Sequence, residues 1–203
     1  HAKVAIFQLI YAPRCVQCPG HPPRRFKPHQ PLATVVEQPA FPDDLLTLLA
    51  SELTEDEAPF LAHLESCLSL EWLEPDSDVL GNTHFEMTHN ELDRRRRFQM
   101  PPGPVTIGLH PRLAEDAALQ RHTLLHELLH AAGLTDHDSR HREVLTELAP
   151  PPKLSESPVL QDLRAEVLAR APKKEWACAE CGHAWERKTV SRPESCPMCE
   201  RPL

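Results

Sequence analysis

Hydrophobic positions are patterned most regularly between residues 43 and 150. Leu45, Leu46, Leu48 and Leu49 recur at helical spacing behind Asp43 and Asp44, either of which can cap a helix. Phe60, Leu61, Leu64 and Leu68 keep the same period and predict a second helix. Thr83 to Thr88 alternates loosely and Val105-Thr-Ile-Gly-Leu109 alternates clearly, so both predict strands. Arg94 to Arg97 lies between them and reads as a solvated loop. After Pro111, residues 113–132 read as one helix, with Gly133 placed as its stop. Helix, helix, strand, strand, helix and further helix make an α+β domain.

Composition divides the rest. The chain has 22 prolines against 6 glycines, and the prolines gather outside the patterned region. Residues 1–42 hold a short apolar run, Val4 to Ala12, read as a strand, and then a Pro/Arg/His-rich stretch that cannot be regular helix. Residues 43–150 are the folded domain. Residues 151–175 are linker and a short helix (Leu160, Leu163, Val167, Leu168), with 149–158 stiffened by proline. Residues 176–203 form a cysteine-paired module. No apolar run reaches the ~18–20 residues of a membrane span. The Val4–Ala12 run lacks a small-x-small cleavage site, and the expected setting is a reducing cytoplasm. There, paired cysteines hold metal rather than form disulfides.

Thirteen histidines point to metal chemistry, and His126-Glu127-Leu128-Leu129-His130 gives it a form. On a helix, positions i and i+4 share a face, so both imidazoles reach one Zn²⁺, while Glu127 is displaced by about 100° and leans towards water there. A catalytic zinc takes three protein ligands and keeps one position open. Three candidates for the third follow Gly133: His137 after a short turn, opening a returning helix; His141 one turn later; and Asp136, at the spacing of a metzincin ligand. His122, one turn before His126, reads as a rim residue or substrate contact. In this arrangement zinc polarises a scissile carbonyl, and Glu127 takes a proton from water and passes it to the leaving amine. The strand Val105–Leu109 is expected to line the cleft and pair with an extended substrate backbone.

Cys178-Ala-Glu-Cys181 and Cys196-Pro-Met-Cys199 form two CxxC knuckles, the spacing of a four-thiolate structural zinc site. Four ligands leave no open position, so such a site replaces a core that a module this short cannot build. His183 is not expected to bind. Net charge is −8, which argues against nucleic-acid binding over the whole surface. Residues 170–203 nevertheless carry seven basic and five acidic side chains, against fifteen and twenty-five in the remainder. With Trp176 and Trp185, this tail is where DNA would dock, the alternative being a module that recognises only protein. Cys15 and Cys18, with His21 and His29, make a third, weaker metal-site candidate. Cys67, between Leu64 and Leu68, reads as a small buried hydrophobe.

Val105-Thr-Ile-Gly-Leu-His-Pro-Arg-Leu113, with Thr123-Leu-Leu-His-Glu-Leu-Leu-His-Ala-Ala-Gly133, resembles the core of SprT-like (Spartan-related) zinc metalloproteases. The resemblance spans residues 45–203. It implies a minimal zincin-like domain, in which an HExxH helix packs on a small sheet and a third histidine opens the next helix, followed by a zinc ribbon. It also implies an endopeptidase with one catalytic and one structural zinc, acting on proteins associated with DNA. The family's His-Gly-x-x-aromatic is replaced here by His137-Asp138 and then His141, which leaves the third ligand open among His137, His141 and Asp136. Two other readings stand beside this one: a non-proteolytic zinc protein acting as a nucleic-acid-binding adaptor, and a metzincin-like protease using Asp136.

Overall fold

The computed structural model describes residues 38–203, apart from 43 and 172–174. The Cys15/Cys18 pair, the expected strand at Val4–Ala12 and the helix-capping role of Asp43 lie outside the described residues. Helix α1 (Asp44–Glu52) buries Leu45 and Leu49, and α2 (Leu61–Cys67) buries Leu64. Strands β1 (Leu68–Trp72) and β2 (Gly81–Phe85) follow, then α3 (His89–Arg97) and β3 (Val105–Leu109). A 3₁₀ turn at Pro111–Glu115 leads into α4 (Ala117–Ala132), and α5 (Ser139–Leu148) returns along it. A second 3₁₀ turn (Leu154–Glu156), α6 (Pro158–Arg170) and the short strands β4 (Glu175–Ala177) and β5 (Ala184–Glu186) complete the chain. The fold is α+β.

Three local expectations are corrected. Leu68 does not continue the second helix; it opens β1, because α2 is only seven residues long and its extended cap places Leu68 in the sheet. The arginine run is helical rather than a loop. Thr88 caps α3, Glu91 pairs with Arg95 one turn later at 2.8 Å, and four positive charges in the last turn suit the negative end of the helix dipole. The single helix expected over 113–132 is split at Asp116, whose side chain accepts from Leu119 N and starts α4.

The sheet runs β1-β3-β2, with β1 parallel and β2 antiparallel to β3. Val105–Leu109 is therefore the central strand. Both its edges are hydrogen-bonded, so it cannot take an added strand as expected; among the described residues only the outer edges of β1 and β2 lack a strand partner. Helix α4 lies against this sheet, and eleven of its sixteen residues are buried. A helix buried on so many of its positions has to be central, and Leu125, Leu128 and Leu129 share one core with Leu45, Leu64, Ile107 and Leu109. Val159 and Leu160, at the start of α6, belong to the same core. Arg112 and Glu166 pair across that junction at 2.8 Å.

Gly81 makes the close approach of β2 to α4 possible. A Cβ there would lie 2.8 Å from Thr123 Cγ2 and 2.9 Å from both Cγ and Oε1 of Glu127. No helix among the described residues is long and apolar enough to cross a membrane.

Candidate metal centres

Helix α4 ends at Gly133, whose φ of +112° is a left-handed conformation that glycine takes without strain. Its N–H returns to the His130 carbonyl at 3.0 Å, and Leu134 N to the Leu129 carbonyl at 3.0 Å. This stop brings the Leu134 carbonyl to 2.8 Å from His130 Nδ1. A carbonyl can only accept, so Nδ1 carries the proton and Nε2 presents its lone pair.

Three Nε2 atoms converge there. His126 and His130 are 3.2 Å apart, and His137 is 3.1 Å from each. Nitrogens held tetrahedrally at ~2.0–2.1 Å from zinc stand ~3.3–3.4 Å apart, so the donors fit such an ion. Without a cation, three converging nitrogens cannot all find protons to share. His137 sits in the turn before α5, one residue ahead of the helix cap Asp138, and is exposed, whereas His126 is buried. The cluster is thus open to solvent on the His137 side.

His141 joins them. One nitrogen from each of His126, His130, His137 and His141 lies within 4.8 Å of the others. Asp136 is exposed and outside this group. Burial, followed by the neighbouring imidazoles, lowers His126 to about 2 and His141 to about 3. Burial lowers His130 to about 4 against the opposing Leu134 contact. All three rings therefore remain neutral at physiological pH, the form that binds a metal.

No protein-family model, curated protein or solved structure matches this chain.

Glu127 is not one of the converging donors. Its side chain is buried against β2, where the Thr83 hydroxyl lies 2.9 Å from both Oε2 and the Glu127 backbone carbonyl. One hydroxyl proton serves only one acceptor at a time. Thr83 can donate to the backbone and accept from a protonated carboxyl, or turn to donate to a carboxylate. Desolvation raises Glu127 to about 7, with the Thr83 contact opposing. Neither Thr83 nor Gly81 was legible as a partner of Glu127, because they are 44 and 46 positions away and only the sheet brings them there. His122 is corrected: it is buried rather than a rim residue, and its Nδ1 meets the Ala149 carbonyl at 2.6 Å, tying α4 to the end of α5.

The second centre is made of Cys178, Cys181, Cys196 and Cys199. Cys178 and Cys199 sulfurs are 3.7 Å apart, as are Cys181 and Cys196. Thiolates at ~2.3 Å from zinc stand ~3.8 Å apart in a tetrahedron, so this donor set also fits. Both knuckles turn in the same way. Gly182 and Glu200, each following the second cysteine, have positive φ, and Gly182 N and Glu200 N return to the carbonyls of Cys178 and Cys196. His183 stacks on Trp185 at 5.6 Å and is not in the cluster. Trp176 pairs with Trp185 across β4 and β5, and the Arg187 guanidinium lies 5.0 Å from the Trp176 ring centroid. Cys67 is half-buried, with Sγ 3.2 Å from the His63 carbonyl.

Proposed function

We propose that the chain is a zinc-dependent endopeptidase of SprT-like type, with a zincin-like domain and a C-terminal zinc ribbon. The observation that carries this reading is a buried carboxyl, Glu127, on the helical turn that supplies two of three convergent imidazoles, His126 and His130, with His137 the third. A purely structural metal site has no use for this carboxyl. Burying an ionisable carboxyl with one hydroxyl partner is costly, and proteins concentrate such groups where protons move.

His126, His130 and His137 would hold the ion. Bound there, zinc supplies Lewis acidity to a carbonyl and acidifies water. Glu127 would accept a proton at its carboxylate and return it to the departing amine, with Thr83 able to steady either protonation state. The free edge of β2 would take an extended substrate as an added strand, reading main chain and so tolerating varied sequences. Substrates are protein or peptide, with DNA-associated proteins following from the family resemblance. The basic ribbon, with Arg187 over Trp176, is the surface proposed for DNA.

Two results test this. Protein stripped with a chelator should leave an unstructured protein substrate intact, and two equivalents of zinc, one for each centre, should restore cleavage. Equal cleavage before and after stripping would end the reading. Gly81→Ala should retain zinc yet slow cleavage about 10- to 100-fold, since its methyl displaces Glu127 by a fraction of an ångström to an ångström. Steady-state kinetics beside metal analysis checks it.

A second reading, a structural zinc site in a nucleic-acid-binding adaptor, is favoured by one observation: His141 supplies a fourth imidazole to the same group.

A further inference from the structure

The six ring-centroid distances among His126, His130, His137 and His141 all fall between 4.7 and 5.2 Å. Four ring centres separated almost equally surround one point, as the rings of a tetrahedral zinc site do, and one nitrogen of each ring lies within 4.8 Å of the others. His141 is 1% exposed, and neither of its ring nitrogens makes a hydrogen bond. Among the described residues, the one group placed to take a proton from it is the His126 backbone carbonyl, which pulls on the His141 ring without forming a well-made hydrogen bond. A buried imidazole left without partners calls for an explanation. A cation shared with the other three rings supplies one.

We propose that His141 is a fourth, displaceable ligand of the same cation, so that the resting centre is a closed tetrahedron of imidazoles. The proposal rests on the reading of His126, His130 and His137 as ligands of one ion.

The geometry also holds His141 less firmly than His130. Ligating histidines are ordinarily fixed through their second nitrogen, as His130 is by the Leu134 carbonyl. His141 has only the weakly aligned His126 carbonyl for this. Its ring is held in place by stacking on His130 (4.8 Å, 29°) and by edge contact with His126 (4.7 Å, 75°). Breaking one coordination bond frees it. The helix that carries it stays anchored through Arg140, which pairs with Glu57 at 2.8 Å. A protease that binds main chain with little sequence selectivity needs a default off state, and a closed coordination shell provides one.

X-ray absorption at the zinc edge of the full-length wild-type protein, once the half of the signal due to the four-thiolate zinc is accounted for, is expected to leave four imidazoles on the other zinc, and three imidazoles and one oxygen in the His141→Phe protein. Phenylalanine keeps the stacking on His130 while removing the donor. The cobalt(II)-substituted wild type should show a visible spectrum indifferent to added azide, whereas cobalt in His141→Phe should respond. Three imidazoles and an oxygen in the wild type, or an azide response equal to the variant's, would overturn the proposal. So would failure of the wild type to bind either metal at this site. Because the wild-type measurements decide it, a misfolded variant does not weaken the test. Cleavage by His141→Phe is expected to exceed wild type about tenfold. Four imidazoles with no cleavage from either protein would leave the ligand assignment standing and remove the peptidase reading instead.

Discussion

Glu127→Gln is expected to keep its zinc and lose at least about 100-fold of its cleavage rate, the usual worth of a positioned general base. The substitution is nearly isosteric. Glutamine can still accept a hydrogen bond from Thr83, and the Glu127 carboxylate is not among the converging donors, so metal content should not change. What disappears is the ability to carry a proton, because an amide does not take one from water at neutral pH. The variant also makes a thermodynamic signature independent of turnover. The ordinary glutamate value is 4.5, and burial raises Glu127 to about 7. The folded state therefore holds its proton more tightly than the unfolded chain, and the stability this brings is full below about pH 4.5 and lost as pH rises through 7. Glutamine escapes that loss. Metal-free Glu127→Gln should unfold later than metal-free wild type above pH 7, by about 3 kcal/mol, with the gain vanishing in acid. Thermal melts across pH, paired with kinetics and zinc analysis, check both parts. Undiminished cleavage at full zinc content would remove Glu127 from the chemistry.

The sequence was most legible where one element supplied the whole pattern. His126, Glu127 and His130 lie on one helix, and the period of 3.6 residues places them without knowledge of anything else. Gly133 as the helix stop follows from the same local logic. Legibility failed where position depends on distant pairing. Strand β1 was missed because Leu68 keeps the helical period of α2, and only its parallel pairing with β3, 37 residues on, turns it into strand. The central position of β3 was missed for the same reason, since strand order in a sheet leaves no trace in a strand's own alternation. Arg94–Arg97 looked like a loop because four like charges repel, but the Thr88 cap, Glu91 and the helix dipole together outweigh that repulsion. His137 and His141 were seen as rivals for one position. A turn and the first residues of α5 bring both to the same group, and nothing in their spacing says that four rings rather than three will meet.

Cys178→Ser should unfold residues 175–203 while leaving the α4 centre able to bind metal. The module has almost no apolar core. Its two strands are three residues each, and of its side chains only Cys178 and Cys196 are fully buried hydrophobes. Folding free energy must then come from the metal, and structural zinc in small modules is worth roughly 10–16 kcal/mol at neutral pH. The fold prepares for this. Against the desolvation that raises it, the backbone N–H groups of Cys199 and Met198 and the neighbouring thiols hold the Cys196 thiol below its ordinary value. Against the His183 backbone N–H, desolvation and the crowding of thiols hold Cys181 above it, a mutual strain that a cation relieves. Serine offers a weak oxygen ligand in place of a thiolate and breaks one corner of the tetrahedron. The main domain has its own core of Leu45, Ile107, Leu125 and Leu128, to which none of the four cysteines belongs. Loss should therefore stop at the boundary. Zinc stoichiometry is expected to fall from two to one, with Trp176 and Trp185 fluorescence shifting to that of exposed indoles and the main thermal transition staying in place. Unfolding of the whole chain on this single change would show that the two centres share one cooperative unit and that the ribbon holds the proposed peptidase domain together.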